Sequence, residues 1–140
     1  MIRISKLLNN EEKSNVANCI LRQLPEWFGI EESIIEYVNR VKSTDFYAVY
    51  YLDNPVGFIS IKSNNEYTSE VYVIGILKKY HNHGIGKKLL KIVEESLIKD
   101  NVKFLMVKTL GDSHPDINYK YTRKFYKKTG FYPLEEIKEI

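Results

Sequence analysis

Apolar residues recur along this chain with two distinct periods. Ile2-Arg3-Ile4 alternates and predicts a short first strand. Val16, Ala17, Ile20, Leu21 and Leu24 then fall at helical spacing, with Asn9 as cap, Glu12 at the capping-box position and Pro25 as the stop. Ile30, Ile34, Val38 and Val41 form a second helical stripe, with Glu31, Glu32 and Glu36 outside it. An aromatic turn, Leu24-Pro25-Glu26-Trp27-Phe28-Gly29, joins the two. Phe46 to Leu52 reads as a strand, Asp53-Asn54-Pro55 as a turn and Val56 to Ile61 as the returning strand of a hairpin. A polar turn, Ser63-Asn64-Asn65-Glu66, leads to a long strand over 67–77. Gly75 inside it suggests a bulge or a close backbone approach by a ligand. Ile85, Leu89, Ile92 or Val93, and Leu97 return to the helical period, which ends at Asp100-Asn101. Lys103 to Leu110 predicts a further strand, Gly111 to Asn118 a polar loop, 119–129 a helix, and Phe131-Tyr132-Pro133-Leu134 the opening of another strand.

The stretch from Leu77 to Leu90 carries the most chemistry. It joins a β-like run to an amphipathic helix through His81-Asn82-His83-Gly84-Ile85-Gly86-Lys87-Lys88. The first turn of a helix leaves backbone N–H groups without partners, and these attract anions, phosphate above all. Gly84 and Gly86 have no Cβ, so an anion can approach the backbone closely. Lys87 and Lys88 add formal charge. The expectation is a phosphate-bearing ligand at 81–87. A nucleotide P-loop fits poorly, because no Ser or Thr follows the lysine to hold magnesium. A dinucleotide fingerprint fits poorly too, since it needs three glycines after the first strand.

Composition narrows the class. A chain of 140 residues with 44% hydrophobic and 28% charged content suits a single folded domain spanning 1–140. A net charge of +3 is too mild to call for nucleic acid, and no apolar run approaches the ~20 residues of a membrane span. Neither partner is expected. The single Cys19 excludes an internal disulfide and fits a reducing compartment. With no signal-peptide core at the N-terminus, a cytoplasmic location is the expectation. Cys19 lies near the first helical stripe, which predicts a buried small side chain rather than a nucleophile.

His81-Asn82-His83-Gly84-Ile85-Gly86 resembles the acyl-CoA loop of the GNAT superfamily of N-acetyltransferases, with His81 where that family has Gln or Arg. Phe125-Tyr126-Lys127-Lys128-Thr129-Gly130-Phe131 resembles the family's other hallmark, an aromatic–Tyr pair followed by Gly-Phe. The resemblance covers essentially the whole chain. It implies an α+β fold, a mostly antiparallel sheet flanked by helices with one parallel strand–helix–strand crossover. That family usually ends in a further antiparallel strand, for which no sequence remains. Either the chain is cut short or the strand comes from elsewhere, and an open sheet edge would invite a homodimer.

The resemblance also implies direct transfer of acetyl from acetyl-CoA to an amine, with no metal. A lysine-like amine costs about 4.6 kcal/mol to neutralise at pH 7, so a general base is needed. Glu70, on the strand before the loop, stands where some members carry a catalytic Glu. It would need desolvation or a bridging water to act as base. Tyr126 matches the tyrosine that faces the thioester sulfur in many members, and its phenol can donate a proton to the departing thiolate. The implied CoA-binding residues are Ile74, Ile76 and Leu77 on the strand, His81, Asn82, His83, Gly84, Ile85, Gly86 and Lys87 in the loop, and Asn118 and Tyr126 beyond. Asn118 could otherwise be only a helix cap. Trp27 and Phe28 are candidate contacts for the amine, or core. His81, His83 and His114 lack the partners a zinc site needs. The acceptor expected is a small-molecule amine. A protein amine, and a CoA-binding module without turnover, remain as alternatives.

Overall fold

The Asn9 side chain accepts the Glu12 amide at 3.0 Å and starts α1 (Asn10–Leu21). The computed structural model describes residues 1–109 and 116–134. The chain falls into two compact units, Met1–Met106 and Val107–Ile140. The first contains β1 (Ile2–Leu7), α1, α2 (Glu31–Arg40), β2 (Asp45–Tyr51), β3 (Asn54–Ser63), β4 (Thr68–Ile76) and α3 (Ile85–Lys99). A short strand, β5 (Phe104–Val107), crosses to the second unit, which holds α4 (Ile117–Lys128).

The strands lie in sequence order, β1 to β5. The first three pairings are antiparallel. β4 and β5 form the parallel pair, joined by α3 as parallel strands require. The Tyr67 carbonyl accepts the amides of Lys103 and Phe104 at 2.8 and 3.0 Å, which aligns the starts of these two strands.

Two residues, Leu52 and Asp53, make the β2–β3 turn, both with positive φ, as a tight hairpin demands. The turn is thus shorter than the expected 53–55, and Asn54 and Pro55 belong to β3. Pro55 is tolerated because the ladder shifts register beside it, between Val49 and Tyr50. The helix α1 also stops earlier than its stripe. Leu24 lies past its end but stays buried, at 2% exposure.

One sheet face packs Phe46, Ala48, Phe58 and Val73 against Ala17, Ile20, Leu21, Leu24, Ile34 and Val41. Phe46 and Phe58 stack with ring centroids 5.0 Å apart. Val49, Ile59 and Ile61 alternate to the other face, and α3 packs on β3 with Ile85, Leu89, Leu90 and Val93 buried. Beneath α1 the buried polar atoms are paired. Lys13 Nζ donates to the Thr44 carbonyl at 2.8 Å, and the Ser60 hydroxyl to Thr44 Oγ1 at 2.6 Å.

Three expectations need correction. Cys19 is exposed, because it falls on the side of α1 away from the apolar stripe. The bulge in β4 is at Val71–Val73, where Ser60 pairs with Val73 and Ile61 with Val71, and not at Gly75. Gly75 serves helix packing instead. A Cβ there would stand 3.0 Å from Ile20 Cγ2, 3.3 Å from Phe58 Cε1 and 3.4 Å from Leu24 Cδ1. Finally, 131–134 form no strand. Gly130, at φ +105°, turns the chain out of α4 into irregular structure. Of the predicted loop Gly111 to Asn118, residues 111–115, with His114, lie outside the described residues, and Ile117 and Asn118 already belong to α4.

Gly75→Val should lower unfolding stability by about 1–3 kcal/mol, the usual cost of overpacking a filled core. Val favours strands, so a loss seen in denaturant titration reports the clash with Ile20 and Leu24 and not a weaker strand.

Candidate active site

The loop after β4 is built by backbone hydrogen bonds. Leu77 N–H donates to the Val56 carbonyl at 2.9 Å, holding the chain to β3 as it leaves the sheet. A single 3-10 turn, Lys78–Tyr80, follows. Then Asn82 and Gly84 both take left-handed conformations, at φ +63° and +77°. Left-handed residues of this kind form anion-binding concavities of N–H groups. Gly84 immediately precedes α3 and has no side chain to cap it. The N–H groups of Ile85, Gly86 and Lys87 therefore have no partner within the helix. Lys87 and Lys88 are exposed beside them. No acidic residue lies in the first turn.

His81 anchors this loop. Its Nε2–H donates to the Ile76 carbonyl at 2.6 Å, closing the loop onto the last residue of β4. Its ring meets Trp27 edge-on, with centroids 5.7 Å apart. Lys78 stands over the same Trp27 at 5.8 Å and pairs with Glu26. The predicted residues His81 and Trp27 thus come together. Phe28 turns to a different chain of rings. It meets Tyr37 at 5.8 Å, and Tyr37 meets Tyr72 at 5.3 Å. Both Trp27 and Phe28 are half-buried against the core. Beside the turn, Cys19, Gln23, Pro55, Val56, Leu77 and Tyr80 line a cleft of about 470 Å³.

Glu70 lies at the other end of β4. It stands six positions before Ile76, about 20 Å along a strand. The carboxylate is buried, and Oε1 accepts Asn64 Nδ2 at 3.0 Å. Lys62, opposite it on β3, brings its ammonium to 3.8 Å from the same oxygen and to 5.5 Å from the Tyr72 ring centre. Burial, then Glu36, pushes the Tyr72 phenol up to about 12. Lys62, Tyr37 and Tyr72 were not foreseen from sequence. Only the bulged register of β3 and β4 places Lys62 beside Glu70. Of the glutamates near the aromatic turn, Glu31 forms a two-pronged pair with Arg22 at 2.6 and 2.8 Å, and Glu36 pairs with Arg40.

In the second unit, Asp116 is the cap of α4, accepting from the amides of Asn118 and Tyr119. Asn118 is the second helical residue and not the cap. Tyr126 lies about 12 Å further along the axis. Its motif has a local mechanical meaning. Phe131 N–H reaches the Tyr126 carbonyl at 2.9 Å and Gly130 N–H the Lys127 carbonyl at 3.3 Å, the paired bonds of a Schellman helix end. The Phe131 and Tyr126 rings pack at 5.3 Å. Burial pushes the Tyr126 phenol well above its ordinary value, with Tyr119 adding to the effect. Among the described residues no group of three or more His, Cys, Asp or Glu could hold a metal, and no helix is long and apolar enough to cross a membrane.

Comparison with curated proteins by sequence finds no match. Solved structures share the fold at low identity. A protein described as of the GNAT acetyltransferase family, from Desulfovibrio desulfuricans, superposes with TM-score 0.81 at 16% identity, covering 96% of this chain and 87% of that one. An aminoglycoside N-acetyltransferase in complex with CoA gives 0.74 at 14%, covering 100% and 93%. A ribosomal-protein-alanine N-acetyltransferase from Brucella melitensis gives 0.73 at 14%, covering 100% and 98%. A family model described as acetyltransferase (GNAT) family matches residues 14–131, which takes in the loop after β4 and the Tyr126 motif. The chain belongs to the GNAT acetyltransferase family and is an acyltransferase.

Proposed function

We propose that this chain, as one catalytic domain over 1–140, transfers acetyl from acetyl-CoA to a primary amine of a small molecule by direct attack. The observation that carries the reading is the uncapped start of α3 behind left-handed Gly84, inside the family-matched span. The amides of Asn82 to Lys87 and the Lys87 ammonium would hold the pyrophosphate. Backbone groups of Ile74, Ile76 and Leu77 would lie along the pantetheine arm, with Asn118 and Tyr126 contributing from α4. Trp27 and Phe28 would wall the amine. At least one aminoglycoside acetyltransferase shares the fold, which is consistent with a small amine as acceptor.

In the proposed step the amine nitrogen attacks the thioester carbonyl and the C–S bond breaks. Glu70, directly or through water, receives the proton lost by the amine. Tyr126 gives its phenolic proton to the thiolate. Burial keeps the phenol protonated until the thiolate forms, at the cost of acid strength.

Thermal unfolding with acetyl-CoA, CoA, ATP and NAD tests the loop. At a hundred times its dissociation constant a ligand adds about 2.7 kcal/mol, roughly several degrees for a domain of this size. Both CoA species should shift the transition and the other two should not. A shift with ATP or NAD alone would sink the assignment.

Tyr126→Phe and Glu70→Gln should each lower kcat by about a hundredfold or more, and Glu70→Gln should leave CoA affinity intact. An inactive CoA-binding module would show no turnover to lose.

The pH profile gives a separate check. An ordinary phenol would lose its proton near ~10, but burial raises Tyr126 above that. The donor therefore remains protonated at and beyond that pH, and kcat should show no fall there. A fall centred on the ordinary value would mean that the group giving the proton is not shielded from water as the buried Tyr126 is.

A further inference from the structure

Lys62 is a primary alkylammonium group held by this protein at the carboxylate proposed to receive the acceptor's proton. Its Nζ lies 3.8 Å from Glu70 Oε1 and 5.5 Å from the Tyr72 ring centre. A carboxylate and an aromatic face are the two groups that recognise an ammonium. The members of the pair differ in access. The Glu70 side chain is 6% exposed and that of Lys62 is 38% exposed. Lys62 can swing toward water on its flexible stem, whereas Glu70 is fixed by Asn64.

We infer that Glu70 and the face of Tyr72 form an ammonium subsite that Lys62 occupies at rest, and that an acceptor bearing an unbranched primary alkylamine displaces it. The class follows from the occupant, a charged head on a slim four-carbon chain. The register supports the pairing, since Lys62 and Glu70 face each other directly across β3 and β4.

The inference rests on the transfer reading for its biological meaning, but its test does not need turnover. The probe is n-butylammonium chloride, the lysine side chain without its backbone. It is titrated while the ring signals of Tyr72, identified by their loss in Tyr72→Phe, are followed by NMR. CoA-induced thermal shift is measured on the same samples. Removing the resident lysine in Lys62→Ala should tighten n-butylammonium binding by about threefold to thirtyfold, the range expected for one partly exposed ion pair and one cation–π contact. Adding Glu70→Gln to that variant should abolish the binding. Tyr72 signals that stay unmoved in Lys62→Ala, or an affinity no tighter than in the parent, would overturn the subsite even if CoA binds normally. Tightened binding without any CoA shift would support the subsite and count against acetyl transfer.

Discussion

The close seating of α1 on β4 at Gly75 is the constraint on which the functional end of the sheet depends. Any side chain at that position would push against Ile20, Leu24 and Phe58. Leu24, drawn down there, then sets the turn that follows, because its carbonyl accepts the amides of both Trp27 and Phe28 at 3.1 and 2.9 Å. Trp27 in turn meets His81, and His81 is tied to the last carbonyl of β4. A packing contact between apolar groups is thereby passed, through one backbone turn and one ring pair, to the loop proposed to hold phosphate. The Glu26–Lys78 pair closes the same circuit from the other side. Of the loop's lysines, Lys78 works inward on the fold, while Lys87 and Lys88 remain at the helix start.

The recognition surface proposed for that loop is mainly backbone, which is why glycine matters at one position there. Gly84 takes φ +77°, a conformation costly for a residue with a Cβ, yet there is open space where a Cβ would stand. Its requirement is therefore conformational and not steric. Gly75 shows the reverse case, with ordinary backbone and no room. Two glycines in one segment are kept small by different forces, and the sequence alone does not distinguish them.

Local features were legible from residues and distant ones were not. The Asn9 cap with Glu12, the hairpin, the period of α3 and the strand–loop–helix order all rest on interactions within a few positions. The end of α3 also fits this rule, since Asn101 takes the left-handed position and Val102 N–H returns to the Leu97 carbonyl. What escaped depended on register or docking. The β4 bulge shifts by one residue which side chains of β3 oppose those of β4, and so hid the partnership of Lys62 with Glu70. Gly75 could not be explained before α1 was known to lie on it. Cys19 was misjudged by nearness to the apolar stripe in sequence, when its angle about the helix decides exposure. The expected strand at 131–134 fails because the left-handed Gly130 and the bond from Phe131 to Tyr126 end α4 in a turn. Of the candidate site, the strand–loop–helix order was within reach of sequence, but the contact of His81 with Trp27 was not, because it joins segments far apart in the chain. The ring chain from Phe28 to Tyr72 was not, because it joins three separate elements.

Tyr126 shows that structural and chemical readings of one motif need not compete. The helix end formed by Gly130 and Phe131 favours an apolar contact with the residue five positions before Phe131. A phenol ring meets that need, and its packing between Phe125 and Phe131 buries it. Burial disfavours the phenolate, so the proton is retained. A leucine there would satisfy the cap and have no proton to give. A tyrosine on an exposed helix face would have the proton but no fixed position. Placing the residue within the cap provides both properties through one packing arrangement, and a proton donor to a thiolate requires both.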